Sequence, residues 1–245
     1  MDTPSLRIHS IETFGTHEGP GIRLVLFLQG CQFRCLYCHN PDTWNLNGGS
    51  ETSIDSIIER TLKEKEYFTN GGGVTVSGGE PLIQRQALIP LFFQLQKRGI
   101  HTALDTNGSL FDATTRDLLK HTDLVILDVK HINDEWHTKL TGTSNRSTLS
   151  FAKYCENAGI PLWLRYVLVP GYTDQEEYIH EWGKTFQDYE TIKRVEILPY
   201  HTLGIYKYEK MGIPYRLEGI QPPTEKSIKG TKRIFSQYFK DVYVR

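Results

Sequence analysis

The chain has 245 residues, enough for one large α/β domain or two smaller ones and for a substantial buried core. Its 28 Lys and Arg nearly balance 29 Asp and Glu, which excludes the global field that draws a protein to nucleic acid or anionic membrane. No apolar run approaches a membrane span, the opening Met1-Asp2-Thr3-Pro4 lacks a charged-then-apolar leader, and three bunched cysteines with one left over do not make a secreted disulfide scaffold, so the chain reads as cytoplasmic.

In chain order, Arg7 to Thr13 alternates apolar and polar residues and predicts an edge strand. Gly19-Pro20-Gly21 is a turn signal, and Ile22 to Leu28 is a nearly continuous apolar run, as expected for a strand covered on both faces. It leads directly into the cysteine loop, Cys31 to Asn40. Ser53 to Phe68 has helical spacing of Ile54, Ile57, Ile58 and Leu62, with Ser53 as N-cap. A short strand, Val74 to Val76, ends at Ser77-Gly78-Gly79-Glu80-Pro81, and a helix from about Leu82 to Arg98 stops at Gly99. His101 to Leu104 is a strand ending at Asp105-Thr106-Asn107-Gly108, followed by a helix over Asp112 to Lys120. Leu124 to Leu127 is a buried strand ending in Asp128-Val129-Lys130. One or two short helices then stop at Gly159. Leu162 to Val169 is the next strand, Asp174 to Phe186 a helix, and Arg194 to Leu198 a strand ending at Pro199-Tyr200-His201. A last helix lies near 224–239.

Six buried strands alternating with helices predict a parallel sheet with right-handed crossovers, either an open doubly wound sheet or a partial (β/α)6 TIM-type barrel. Polar or glycine-rich clusters follow the first four of these strands and the sixth. In a barrel such ends ring the one opening that carries catalysis, whereas in an open sheet only ends near a switch point share a crevice. The expectation is therefore the partial barrel, one domain over 1–245, with its active site at the C-terminal ends of the strands. No repeat or interdomain linker argues otherwise.

Three of the four cysteines lie in C-x3-C-x2-C spacing at Cys31, Cys35 and Cys38. Thiolate is a soft ligand that suits iron–sulfur clusters, zinc or cuprous copper. A set of three leaves one metal corner open, the mark of a site that does chemistry. The alternative is a zinc site completed by a histidine such as His39, although the paired C-x2-C halves usual for zinc are absent. Cys155, within a helical pattern, reads as a small buried residue. Gly78-Gly79 admits close backbone approach, and Asp105, Asp128, Lys130 and His201 sit where strands end. Singly, each is an ordinary turn, cap or surface charge. Together on one rim they make a charged pocket suited to a zwitterion. Arg165, inside an apolar strand, requires a buried partner. Tyr37 is placed either to pack on an aromatic ligand or to shield the metal site.

The loop with its aromatic residue before the third cysteine, followed after the next strand by Gly78-Gly79-Glu80-Pro81, resembles the radical S-adenosylmethionine (SAM) superfamily. Gly19-Pro20-Gly21-Ile22-Arg23, Cys35 to Asn40, Leu104 to Gly108, Arg165-Tyr166-Val167 and Leu198 to His201 extend the likeness to glycyl-radical enzyme activases. Many such activases carry extra ferredoxin-type cysteines between the first and second strands; this chain has none there, and the resemblance favours the pyruvate formate-lyase type. The resemblance implies an oxidoreductase in which Cys31, Cys35 and Cys38 hold one 4Fe–4S cluster. Its open iron would chelate SAM, and reductive cleavage would give a 5′-deoxyadenosyl radical that takes hydrogen from a glycine of the partner. It also implies SAM contacts from Tyr37, Cys38, His39, Gly78, Gly79, Asp105, Asp128, Val129, Lys130 and His201, with a monovalent cation near the two aspartates. The implied partners are the glycine loop of pyruvate formate-lyase and a flavodoxin or similar low-potential reductant, for a monomeric enzyme. The rival readings are a radical SAM enzyme acting on another glycyl-radical enzyme or a small molecule, and a zinc-binding module.

Overall fold

The computed structural model describes residues 4–245; Met1 to Thr3, on which part of the leader reading falls, lie outside the described residues. The strands are β1 (Ser5–Gly15), β2 (Arg23–Leu28), β3 (Ser50–Ser53), β4 (Gly73–Gly78), β5 (His101–Thr106), β6 (Leu124–Asp128), β7 (Leu162–Leu168), β8 (Ile192–Pro199) and β9 (Val242–Val244). The helices are α1 (Ile54–Glu64), α2 (Arg85–Lys97), α3 (Ala113–Leu119), α4 (Asp134–Thr141), α5 (Arg146–Asn157), α6 (Glu176–Phe186), α7 (Ile205–Met211) and α8 (Glu225–Phe235).

The strands hydrogen-bond in the order β3-β1-β2-β4-β5-β6-β7-β8-β9. The six strands expected from the sequence are the consecutive run β2 and β4 to β8. β2 with β4, β4 with β5, and β7 with β8 pair parallel, and β9 adds parallel to β8. The order is linear, with β3 and β9 at its ends, so the sheet does not close. This is the mixed α/β, partial-barrel class.

Two expectations need correction. β1 is not an edge strand, because β3 pairs antiparallel along Ser5 to Ile8. β3 is the polar tetrapeptide Ser-Glu-Thr-Ser; it pairs through its backbone and shows no alternation for a pattern reading to detect. The last helix ends at Phe235 rather than near 239, as the amides of Gln237 and Tyr238 turn to carbonyls three residues back.

The chain divides into two compact units, one taking the residues up to Gln32 with Thr43–Ile126, the other Phe33–Asp42 with Leu127–Arg245. In the first, Ser53 caps α1 by accepting from the Ser56 amide at 3.2 Å, and Ile54, Ile57 and Ile58 form the buried face. α2 buries Leu88, Leu91, Phe92 and Leu95, then stops at Gly99, whose φ of +65° is cheap only for glycine. Arg23, fully buried at the start of β2, donates to the carbonyls of Pro20, Gly71 and Val74 at 3.1, 3.2 and 2.8 Å, which ties the Gly-Pro-Gly turn to β4.

The second unit has an aromatic core in which Trp182 meets Tyr166, Phe186 and Phe235 at ring separations of 5.8, 4.9 and 4.9 Å. The partner that Arg165 requires is Glu196 on β8, at 2.9 Å. Arg245 binds the other oxygen of the same fully buried carboxylate at 2.5 Å. Removing one member of a buried charge cluster leaves the others uncompensated, at about 3–5 kcal/mol. Glu196→Gln should lower the stability of the cluster-free protein by about that amount in urea unfolding; an unchanged midpoint would show that the two guanidiniums do not depend on it.

Candidate cluster and cofactor site

In the first unit, β2 is buried except at the half-buried Phe27 and releases the chain at Gly30, whose φ is +99°. The Gly30 amide donates to Thr43 O at 2.7 Å, so both ends of the cysteine loop's base are held. The end of β4 lies directly against this start. The Gly79 amide donates to Leu28 O at 2.9 Å and the Glu80 amide to Gly30 O at 2.8 Å. A Cβ on Gly79 would fall 2.2 Å from Gly30 O and 3.2 Å from Cys31 Cβ, and one on Gly78 would fall 2.3 Å from Leu28 N. The glycine pair therefore allows two strand ends to touch, a more specific role than a tight turn.

Glu80, to which the sequence reading gave no role, is the hub of this half. It is fully buried and accepts from Leu82 N at 2.9 Å, Thr106 Oγ1 at 2.5 Å and Asn107 N at 2.8 Å. Burial pushes its carboxyl up to about 7 against the pull of these donors. Asp105, also buried, accepts from Ser77 Oγ at 2.8 Å. The Gln32 side-chain amide donates to Ser109 Oγ, leaving Gln32 Oε1 buried and without a partner.

In the second unit, the remainder of the loop is gripped from two sides. The amides of Arg34 and Leu36 donate to the carbonyls of Thr141 and Leu140 at the end of α4, each at 2.9 Å. The Cys38 amide closes a turn onto Cys35 O at 3.1 Å. Leu36 and Tyr37 join Leu140, Val169, Tyr200 and Leu217 in a buried cluster against which Cys35 packs. Lys130 pairs with Asp128 at 2.7 Å and lies 5.9 Å above the Tyr37 ring. Burial opposes the Lys130 charge, but Asp128, Tyr37 and Cys35 hold its pKa well above the ordinary lysine value. Val129 is buried, its amide donating to Arg165 O at 3.3 Å. The rings of His39 and His201 overlap at 3.9 Å, and His39 Nε2 donates to His201 O at 2.9 Å. Burial, and for His39 the neighbouring His201, lowers both pKa values, so both rings are neutral at pH 7.

The donor set fits an iron–sulfur cluster. Cys31, Cys35 and Cys38 are each half-buried, and burial pushes the Cys35 thiol up to about 12. Only the charge of a bound metal would make such a thiol a thiolate at neutral pH. The Tyr37 hydroxyl is buried with no partner, an orphaned polar atom beside the loop. Among the described residues no three His, Cys, Asp or Glu side chains meet where one metal ion could sit, so the zinc reading gains nothing from the geometry. A cubane asks each thiolate for a different iron. Cys155 lies fully buried on α5, as expected, and burial alone raises its thiol to about 12.

The sequence model of the radical SAM superfamily matches residues 25–183. The chain is 45% identical over 235 residues to the pyruvate formate-lyase 1-activating enzyme of Escherichia coli (strain K12), covering 95% of this chain and 96% of that one. It is likewise 45% identical over 234 residues to the pyruvate formate-lyase-activating enzyme of Staphylococcus epidermidis, covering 92% and 93%. In fold it is similar to a radical SAM methyltransferase from Sphaerobacter thermophilus, with TM-score 0.66 at 14% identity over 99% of this chain and 77% of that one. The chain belongs to the radical SAM superfamily and, within it, to the pyruvate formate-lyase activating enzymes.

The residues that sequence reasoning missed are Glu80 and the α7 pair Lys207 and Tyr208, which bind the tail of the loop. Ile205, Tyr208 and Met211 at helical spacing before Gly212, whose φ is +65°, were the available signal for α7. For Glu80, Gln would offer one acceptor and one donor where three donors converge. Glu80→Gln should therefore cost about 1–3 kcal/mol of stability in the cluster-free protein, read by urea unfolding; a neutral substitution would remove Glu80 as the organiser of this half.

Proposed function

We propose that this chain activates pyruvate formate-lyase by installing a glycyl radical on it. Cys31, Cys35 and Cys38 are assigned to one 4Fe–4S cluster, with SAM at its open iron. The observation that carries the reading is the three-thiol loop at the C-terminal end of β2, in a chain 45% identical along nearly its whole length to enzymes of that name. When bound, cluster and SAM supply the reductive cleavage that yields methionine and a 5′-deoxyadenosyl radical, while the protein supplies position and charge.

The assigned SAM contacts are Gly78, Gly79 and Asp105 in the first unit and Tyr37, Cys38, His39, Asp128, Val129, Lys130 and His201 in the second. Gly79 offers a backbone free of side chain, and Lys130 an ammonium for the methionine carboxylate, already charged beside Asp128. The neutral His39 and His201 rings accept or donate hydrogen bonds without adding positive charge. A monovalent cation beside Asp105 or Asp128, a flavodoxin-like reductant, a monomeric state and a cytoplasmic setting belong to the same proposal. Among the described residues no helix is long and apolar enough to cross a membrane.

Replacing Cys31, Cys35 or Cys38 with Ala should abolish cluster retention and SAM cleavage, since two thiolates hold a cubane poorly. Cys155→Ala should leave both nearly intact. Iron and sulfide analysis of anaerobic protein checks this, and a folded Cys155→Ala chain without cluster would overturn the three-ligand assignment. The function itself is tested by deuterium transfer from an α-deuterated glycine loop of the lyase into 5′-deoxyadenosine, together with a glycyl spin signal on the lyase. Full-rate 5′-deoxyadenosine carrying no deuterium from the lyase, but labelled by a small metabolite, would replace this function with small-molecule chemistry.

A further inference from the structure

Helix α7 spans only seven residues, yet two adjacent residues of it, and Gly204 at its N-cap, meet the tail of the cysteine loop. The Tyr208 hydroxyl donates to the backbone carbonyl of Cys38 at 2.9 Å. One residue earlier, Lys207 Nζ donates to Asn40 Oδ1 at 2.8 Å and Asp42 Oδ1 at 3.0 Å. Gly204, at the N-cap of α7, lies so close to the loop that a Cβ there would stand 2.8 Å from the His39 Cα. Residues 38 to 42 are thus held at one carbonyl and two side chains by Lys207 and Tyr208, with Gly204 passing close to the His39 Cα.

The grip is itself braced. Tyr208 is almost fully buried, and its ring meets Tyr215 edge-on at 4.9 Å. The Tyr215 hydroxyl shares a 2.8 Å hydrogen bond with that of Tyr200, whose ring belongs to the same buried cluster as Leu36 and Tyr37. The hydroxyl of Tyr208 therefore has little freedom to leave the Cys38 carbonyl. The Lys207–Asp42 pair is half-buried, with side-chain exposures of 19% and 34%, which screens it less than an open surface pair.

We propose that Tyr208 and Lys207 are positioning residues for the cluster: Tyr208 fixes and polarises the peptide of the third ligand cysteine, and Lys207 keeps the loop tail closed over it. A donor hydrogen bond at a ligand residue's carbonyl stabilises added negative charge, so it favours the reduced state of a cluster held there. A latched tail slows the departure of the ligand it carries. The inference rests on the assignment of Cys38 as a cluster ligand. A wild-type chain that takes up no cluster would overturn that assignment, whereas the variants below test the inference alone.

In reconstituted holoprotein, Tyr208→Phe should lower the ratio of reduced to oxidised cluster at a fixed solution potential by roughly 2- to 10-fold, the range one hydrogen bond is worth. The readout is the spin resonance of the reduced cluster in a potentiometric titration. Lys207→Met should lose iron to a chelator several-fold faster than wild type, and Lys207→Arg should restore most of the retention. A Tyr208→Phe titration that superimposes on wild type would overturn the proposal, as would Lys207→Met holding iron at the wild-type rate or Lys207→Arg leaking as fast as Lys207→Met. If Tyr208→Phe does not fold, the Lys207 pair decides by the same criteria.

Discussion

Nothing larger than a hydrogen fits where Gly79 passes the carbonyl of Gly30. That single close approach brings the end of β4 against the base of the cysteine loop and places the next residue, Glu80, over the loop's first carbonyl. Glu80 then gathers the amides of Leu82 and Asn107 and the hydroxyl of Thr106, so the ends of β4 and β5 share one acceptor. A side chain at Gly79 would separate the strands and release this whole set. The cost of burying Glu80, visible in its raised pKa, is offset by donors that only this arrangement supplies.

The second unit balances charge in a different way. Its half-buried ammonium, Lys130, is matched by Asp128 and lies over the Tyr37 ring, with the Cys35 thiol within its electrostatic reach. The imidazoles nearby remain neutral because burial denies them protons. Lys130 pulls the Cys35 thiol toward ionisation, but burial outweighs that pull and the thiol stays protonated in the cluster-free chain.

Much of this was legible in the residues. Apolar runs such as Leu24 to Leu28 and Leu124 to Leu127 announce strands covered on both faces, and Ser53 and Gly99 mark helix ends because caps and left-handed positions tolerate few residue types. The cysteine spacing is legible for the same reason, since few residues make a soft ligand. β3 escaped because its pairing is carried by the backbone of a polar tetrapeptide. α7 escaped because seven residues give too few turns for periodicity to stand out, and Glu80 because a buried carboxylate looks in sequence like any surface one. The partner of Arg165 lies 31 residues away on another strand, a separation that no local pattern encodes.

The cysteine loop is made early and anchored late. Cys38, Asn40 and Asp42 leave the ribosome long before the residues that hold them; their contacts on α7 lie 170, 167 and 165 positions downstream. The carbonyls of Leu140 and Thr141, which hold Arg34 and Leu36, are also about a hundred residues away. A nascent chain thus carries Cys35 and Cys38 without these partners while most of the second unit is still unmade. Until α7 is synthesised, residues 38 to 42 lack the carbonyl and side-chain partners that hold them in the folded chain.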